Sequence, residues 1–333
     1  METLTKVNGY FMKKYADYRL PSFYKKMRPS NIWTRTVYYE GLLSLYSIYP
    51  LDEYYDYAYG WADFHEWGFH RGTTTRHADN YSPGQIYLDL YRLCPNDAEK
   101  IRKTRANINM LVNTPQVNEW WWIDAIQMGA PIFAKLGRLT GEQKYFDKMW
   151  AMYAYTRNEH GGNGMFNPKD GLWWRDQDFD PPYKEPNGED CYWSRGNGWV
   201  YVALTRIMDE IPADEKHRAD YLTDTFSRLV VFRPQLFFRK IRSNIFQPEY
   251  LNSDIGTSHF TPIGYLFVKH IFNLHRTQFP DRILPVDSQH IPFFCYLVAK
   301  ESECLRKQKN DNQYYRNTCD KATASQYSFY NLF

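Results

Sequence analysis

The chain has 333 residues, enough for one large domain or two ordinary ones, and its 43% hydrophobic residues can fill a sizeable core. A net charge of +3 with evenly mixed signs argues against a nucleic-acid partner, which would need clustered Lys and Arg. None of the five cysteines lies in a C-x-x-C spacing, so no zinc site is expected.

The N-terminal residues also limit the class of protein. They lack the apolar core of a secretory signal, and no apolar run of about 18 residues occurs in the chain. We therefore expect no membrane segment and a cytoplasmic location, or a periplasmic one if the true N-terminus lies upstream. Aromatic residues reach 18%, and such rings serve both as core filler and as flat platforms for sugars.

Apolar residues recur at helical spacing in the first half of the chain. They predict six helices, at about 33–49, 52–67, 83–93, 96–112 and 121–136, and from Thr140 to beyond Tyr153. A segment rich in Gly, Pro, Asn, Asp and Trp follows at 160–195, and a loop of that length is usually functional.

Two further helices are predicted at 196–211 and from 212 or 214 to 230. Eight helices with short connections favour four antiparallel hairpins, and no segment shows convincing strand alternation. The simplest closed arrangement is an all-α barrel or toroid whose loops converge on a pocket at one end.

The chain changes character at about residue 230. Residues 1–230, the predicted barrel domain, hold 28 basic and 30 acidic residues, whereas the tail at 231–333 holds 13 and 8. Helical periodicity is hard to follow in the tail. We hypothesise that the tail is either strongly diverged or the product of a shifted reading frame, which would leave the barrel incomplete at its C-terminal end.

Four stretches combine reactive side chains with a loop-like context. They are RGTTTRHADN with His77 and Asp79, WWWID with Asp124, GLWWRD with Trp174 and Arg175, and WSRGNGW with Arg195 and Trp199. The last stretch places an Arg and glycines at a helix N-terminus, which suits a carboxylate ligand. In the first stretch, helix capping by Asp79 or Asn80 is an equally good interpretation.

Asp124 is the first candidate for a catalytic acid. Apolar rings beside a carboxyl group disfavour its charged form, which can raise its pKa into the range of a proton donor. Helix capping is the alternative role, because Asp is common at helix starts. Six carboxylates of the 160–195 segment compete with it, namely Asp176, Asp178, Asp180, Glu185, Glu189 and Asp190.

WWWIDAIQM, GLWWRD and above all WSRGNGW resemble glycoside hydrolase family 105, the unsaturated rhamnogalacturonyl hydrolases, which are related to the unsaturated glucuronyl hydrolases of family 88. NIWTRTVYYEGL and RGTTTRHADN resemble the Bacteroides-type branch, and the likeness covers about residues 30–228. The resemblance implies an (α/α)6 barrel and an enzyme of pectin degradation. It also implies a substrate with a 4,5-unsaturated uronic acid, such as galacturonyl-rhamnose, and a reaction without metal or organic cofactor.

In the implied reaction an Asp protonates the double bond at C4 and activates a water molecule that adds at C5. The hemiketal then opens and releases the next sugar. Matched residue by residue, the resemblance makes Asp124 the general acid and base and Asp79 the second essential Asp. It assigns the substrate contacts to a set of aromatic and cationic residues, namely Trp122, Arg195, Trp199, Tyr39, His77, Trp174 and Arg175.

Two features depart from the family pattern. Some members have a His at the position of Arg175, and the Gly-Thr dipeptide that lines the family's pocket is only faintly matched by Gly256-Thr257. Two other functions stay open: a polysaccharide lyase on a helical toroid, and an inactive sugar-binding toroid. The lyase would create unsaturated uronate from intact polymer, whereas the hydrolase would consume it.

Overall fold

The computed structural model describes residues 2–24 and 26–231. This part of the chain is built mainly from ten α-helices: α1 (Glu2–Lys14), α2 (Trp33–Tyr46), α3 (Asp52–Phe64), α4 (Ala78–Tyr81), α5 (Gly84–Leu93), α6 (Glu99–Val112), α7 (Asp124–Thr140), α8 (Gln143–Asn158), α9 (Ser194–Glu210) and α10 (Arg218–Val231). Two short antiparallel pairs interrupt them: β1 (Ser22–Tyr24) with β2 (Lys26–Arg28), and β3 (Phe166–Asn167) with β4 (Leu172–Trp173).

The predicted all-α class is confirmed, and each of the eight predicted helices is present. The helices form four antiparallel hairpins within the described residues: α2 with α3, α5 with α6, α7 with α8, and α9 with α10. Across hairpins, α2 packs on α5, α5 on α7 and α7 on α9, which makes these four the inner layer. The predicted tail begins where the described residues end, so the division near residue 230 stays a prediction.

The inner position of α7 explains its composition. Every residue from Ala125 to Gly137 is buried, because α5, α8 and α9 surround this helix. The chain reverses once within each hairpin and once more in the connection to the next hairpin. The inner helices therefore run in the same direction and begin at the same end of the toroid. No helix in the described ranges is long and apolar enough to cross a bilayer.

Four polar residues, one from each inner helix, form a hydrogen-bonded cluster. The Arg206 guanidinium of α9 donates to Glu40 Oε2 of α2 at 2.5 Å and to Gln85 Oε1 of α5 at 3.0 Å, and Gln127 Nε2 of α7 donates to the same Glu40 oxygen at 2.9 Å. Burial raises the pKa of Glu40, and Arg206 opposes that shift. Because an unpaired buried charge costs several kcal/mol, roughly 3–5, these bonds fix the helices relative to one another.

The predicted boundaries of α7 are wrong at both ends. The helix begins at Asp124 rather than at Trp121, because the backbone of Trp122 is extended and pairs with Asp176. It continues past Gly137 to Thr140, and Gly141, with φ of 71°, provides the left-handed C-cap. Asp124 is therefore the first residue of the innermost helix.

The sequence did not predict α1 and α4. Helix α1 is held by tertiary contacts: the Phe11 ring stacks on Tyr38 with centroids 3.4 Å apart, and the Tyr38 hydroxyl donates to Asn8 Oδ1 at 2.7 Å. Helix α4 is a single turn that carries Asp79 immediately before α5. Both elements thus depend on contacts that apolar spacing does not reveal.

Gly129 of α7 should be intolerant of a side chain. A Cβ atom there would lie 2.8 Å from Tyr81 Oη and 2.9 Å from Trp120 Nε1, two fully buried groups that hydrogen-bond to each other. We expect Gly129→Ala to lower the free energy of unfolding by about 1–2 kcal/mol, since overpacking of about 1–3 kcal/mol exceeds the helix-propensity gain of about 1 kcal/mol.

The matched control is Gly41→Ala in α2, where a Cβ atom would meet nothing within 4 Å. It should raise stability by about 0.5–1 kcal/mol through propensity alone. Urea unfolding followed by circular dichroism measures both variants. Equal effects of the two substitutions would contradict the close packing assigned to Gly129.

Candidate active site

The predicted site residues gather at the end of the toroid where the inner helices begin. Asp124 opens α7, Arg195 is the second residue of α9, and Asp79 lies in α4 just before α5. Helix N-termini carry a partial positive charge of roughly +0.5 each. Their convergence makes this end of the toroid suited to an anionic ligand.

Asp124 has the properties of a proton donor. Its Oδ2 atom is buried and accepts no hydrogen bond from any described residue. Burial raises the pKa of Asp124 to about 6, although the charges of Arg195 and Arg175 act in the opposite direction. A carboxyl group with such a pKa holds a proton over part of the neutral pH range and can also work as a base after releasing it.

Asp79 is the second perturbed carboxyl group, with 22% of its side chain exposed. Burial is the main cause that raises the pKa of Asp79 to about 7, and the charge of Asp124 adds to the shift. An influence of the Asp124 charge on Asp79 places the two carboxyl groups near each other. The charge of Arg28, at the end of β2, lowers the pKa of Asp79 in part.

His77 links Asp79 to the tryptophans. Its Nδ1 atom accepts a hydrogen bond from the Asp79 amide at 3.3 Å, so the ring caps α4. Burial and the charge of Arg71 lower the pKa of His77, which favours a neutral ring with its proton on Nε2. The other side of the ring lies against Trp122, with centroids 4.6 Å apart.

The long 160–193 connection reaches back to the start of α7. Trp122 pairs with Asp176 in an isolated bridge, and the Ile123 amide donates to the Arg175 carbonyl at 3.0 Å. These bonds place the GLWWRD segment beside Asp124. Arg175 is exposed, and its guanidinium lies 3.3 Å from Asp176.

The WSRGNGW segment packs directly on this arrangement. Asn197 Nδ2 donates to the Trp173 carbonyl at 2.8 Å, and the Trp173 amide donates to Asn197 Oδ1 at 2.9 Å. A Cβ atom on Gly196 would lie 2.7 Å from Ile123, so glycine allows α9 to approach the start of α7. The motif residues thus hold two helix N-termini and the long connection together.

Several polar groups at this end lack a hydrogen-bond or ion-pair partner among the described residues. Arg195 is exposed with its guanidinium over the Trp193 ring at 4.4 Å, and no carboxylate of the described residues lies within ion-pair distance of it. The indole N–H groups of Trp174 and Trp199 are buried and also lack an acceptor among the described residues. The exposed Arg195 guanidinium can therefore donate to a bound ligand.

Tyr39 lies elsewhere. Its side chain is 0% exposed, and its ring stacks on Trp61 with centroids 4.2 Å apart, inside the core. This arrangement gives a substrate no direct access to Tyr39. The sequence analysis also missed Arg28, whose buried Nε atom has no partner among the described residues. No motif surrounds Arg28, and only its position near Asp79 reveals it.

The described part of the chain contains no group of three or more His, Cys, Asp or Glu side chains arranged to hold a metal ion.

The raised pKa of Asp79 predicts a stability difference between the wild type and Asp79→Asn that depends on pH. The pKa of an unfolded Asp is about 3.9, so the folded state binds this proton more strongly and loses stability as pH rises from about 4 through 7. Asp79→Asn removes that loss. We expect the variant to melt a few degrees above the wild type at about pH 8, with the difference vanishing near pH 4. Calorimetry at both pH values measures this, and a difference independent of pH would contradict the assignment.

Two curated proteins are similar to part of the chain. The "Unsaturated 3S-rhamnoglycuronyl hydrolase" of Formosa agariphila is 35% identical over 124 residues, 35% of this chain and 32% of that protein. The protein of the same name from Alteromonas sp. (strain LOR) is 31% identical over 172 residues, 44% of this chain and 39% of that protein. The chain thus spans 32% and 39% of the length of these two relatives.

Solved structures share the fold at low sequence identity. A glycosyl hydrolase family 88 protein from Bacteroides vulgatus superposes with a TM-score of 0.61 at 24% identity, covering 69% of this chain and 66% of that one. A polysaccharide lyase gives 0.66 at 24% identity, with 91% and 81% covered. A family 105 hydrolase of C. acetobutylicum gives 0.58 at 18% identity, with 90% and 81% covered. The chain has the (α/α)6 toroid fold of these proteins.

The sequence profile of Glycosyl Hydrolase Family 88 matches residues 3–235, most of the chain and all of its described helices except the first residue of α1. Family 105, which the motifs resemble, includes the C. acetobutylicum neighbour, whose 18% identity shows the fold alone. The wider family is the one that the profile supports, and the chain belongs to glycosyl hydrolase family 88.

Proposed function

We propose that the protein removes a 4,5-unsaturated uronic acid from the end of oligosaccharides that polysaccharide lyases release. The observation that carries this proposal is the Asp124 carboxyl, whose buried Oδ2 atom accepts no hydrogen bond from a described residue and whose pKa burial raises to about 6 at a site with exposed arginines. An electron-rich double bond needs a proton donor, and the uronate needs a cation. The names of the two curated relatives support the same substrate class.

The proposed reaction begins with transfer of the Asp124 proton to C4 of the vinyl ether. Positive charge then develops on C5 and the ring oxygen. A water molecule attacks C5 and gives its proton to the Asp124 carboxylate, which restores the starting acid. The resulting hemiketal opens to a ketone, and the hemiacetal left at C1 releases the neighbouring sugar. One Asp thus acts in turn as acid and base.

The remaining groups bind and orient the sugar. We assign the uronate carboxylate to Arg195, because this cation is exposed and lacks an internal ion pair with a described carboxylate. Trp122, fixed by His77 on one side, offers an aromatic face to the sugar ring. We assign hydroxyl contacts to the indole N–H groups of Trp174 and Trp199, which lack an acceptor among the described residues. Asp79, whose pKa is also raised, is assigned the second carboxyl role beside Asp124.

The finer assignment is to family 105, with an unsaturated galacturonyl or glucuronyl group linked to rhamnose. WSRGNGW and WWWID support this assignment, and both curated relatives are named for a rhamnoglycuronyl substrate. The pectin-degrading role and the cytoplasmic location stay predictions.

The substrate separates the hydrolase from the rival lyase. A lyase uses a base to remove the C5 proton of intact polymer, whereas the hydrolase uses a proton donor on polymer that is already cleaved. Similarity to a lyase structure at 24% identity concerns the fold alone. Intact polymer should therefore give no new unsaturated-uronate absorbance, and lyase-treated polymer should lose it.

We expect Asp124→Asn to lower kcat by about 10²–10⁴, the usual contribution of a general acid. The assay follows the absorbance of the double bond in lyase-treated rhamnogalacturonan and in lyase-treated ulvan. Asp63→Asn, at an exposed position of α3, is the control and should retain activity. Full activity of a folded Asp124→Asn protein would remove this residue from the mechanism.

We expect Arg195→Ala to raise KM about tenfold or more with a smaller effect on kcat, because a grip on the uronate acts in both ground and transition states. Arg138→Ala is the control, since Arg138 is exposed near the opposite end of the neighbouring helix α7. A defect confined to kcat would contradict the binding role.

A further inference from the structure

A cleft of about 280 Å³ opens beside the candidate active site. Its lining includes His77, Trp121, Gln116, Asn118 and the ion pair of Arg76 with Glu119. His77 belongs to both places, because the same ring caps Asp79 and contacts Trp122. We propose that this cleft, which we call the Trp121 cleft, binds the sugars beyond the leaving sugar in oligosaccharides longer than a disaccharide.

The direction of the substrate follows from its chemistry, and in this respect the inference rests on the proposed function. A lyase eliminates the substituent at O4, so no sugar can precede the unsaturated ring. The oligosaccharide can extend only from C1, towards the leaving sugar. A cleft beside the site can therefore hold only sugars on the leaving side, and the Trp121 cleft is assigned to those beyond the first of them.

The side chains of the cleft suit a neutral sugar ring. Trp121 is 47% exposed, whereas the preceding Trp120 is fully buried. The Trp121 and Trp122 ring centroids lie 4.6 Å apart. This contact limits rotation of the Trp121 ring, which presents a flat apolar surface. Gln116 and Asn118 are exposed at the cleft and supply amide donors and acceptors for hydroxyl groups.

The cleft is held in shape by buried charges. Lys148 of α8 donates to the Thr114 carbonyl at 2.7 Å and to the Gln116 carbonyl. Arg76 donates to Thr114 Oγ1 at 3.0 Å and pairs with buried Glu119. The loop that carries Gln116 and leads to the tryptophans is therefore fixed from both sides. A preformed surface loses less entropy when it binds a ligand.

The expected contribution of Trp121 follows from the apolar area it can lose to solvent. A sugar ring that covers roughly 55 Å² of the indole at about 25 cal/mol per Å² gains a factor of about ten in binding. This gain applies only to substrates long enough to reach the cleft. The measurable quantity is therefore the kcat/KM of an unsaturated tetrasaccharide divided by that of the matching disaccharide.

The test compares this ratio in the wild type, Trp121→Ala, Gln116→Ala and the control Phe64→Ala, whose side chain is exposed on α3. We expect Trp121→Ala to lower the ratio about tenfold, Gln116→Ala to lower it less, and Phe64→Ala to leave it unchanged. A ratio that Trp121→Ala does not change would overturn the proposal.

A binding measurement separates this inference from the hydrolase proposal. Calorimetry with Asp124→Asn, alone and combined with Trp121→Ala, measures affinity for both oligosaccharides without turnover. We expect the second substitution to weaken binding of the tetrasaccharide about tenfold more than binding of the disaccharide. Equal weakening of both would overturn the cleft assignment, whatever the wild type hydrolyses. Absence of turnover by the wild type, with the length-dependent binding intact, would overturn only the hydrolase proposal.

Discussion

Desolvation of one carboxyl group at the start of the innermost helix is the constraint on which the rest of the site depends. A helix N-terminus and two arginines favour the ionised form of Asp124, yet burial outweighs them and raises its pKa to about 6. The balance is useful because the group can hold a proton and still release it near neutral pH. Without the surrounding packing, the same cationic groups would keep Asp124 ionised.

The packing around Asp124 comes from two distant parts of the chain. The long connection joins the start of α7 through the Ile123 amide and the Arg175 carbonyl, and α9 approaches closely because residue 196 is glycine. Asn197 then joins both peptide groups of Trp173. In the WSRGNGW motif, the glycine and asparagine therefore have a structural role, whereas the exposed arginine is free to bind a ligand.

Much of the fold could be predicted because apolar spacing reports directly on helices that bury one face. The prediction failed where long-range contacts decide: α7 begins three residues late because Trp122 pairs with Asp176, and α1 depends on the stacking of Phe11 on Tyr38. Such contacts join residues that are far apart in the sequence. They cannot be read from local periodicity.

The site was predictable to a different extent for each residue. The placement of Asp79, Asp124 and His77 at one end of the toroid follows from the topology, since the loops before successive inner helices lie together. The RGTTTRHADN and WWWID stretches had marked these three residues as candidates. Tyr39 was assigned by resemblance, but its ring lies in the core beside Trp61. Arg28 had no motif, and the β1–β2 hairpin alone brings it near Asp79.

The most direct measurement of the central claim is the position of solvent hydrogen in the product. An unsaturated uronyl disaccharide is converted in D₂O, and early time points are analysed by NMR. Protonation of the double bond by Asp124 predicts one deuterium on a single face of C4 in the uronate fragment, with loss of the double bond no later than release of the second sugar. Release of that sugar while the double bond persists would contradict the account.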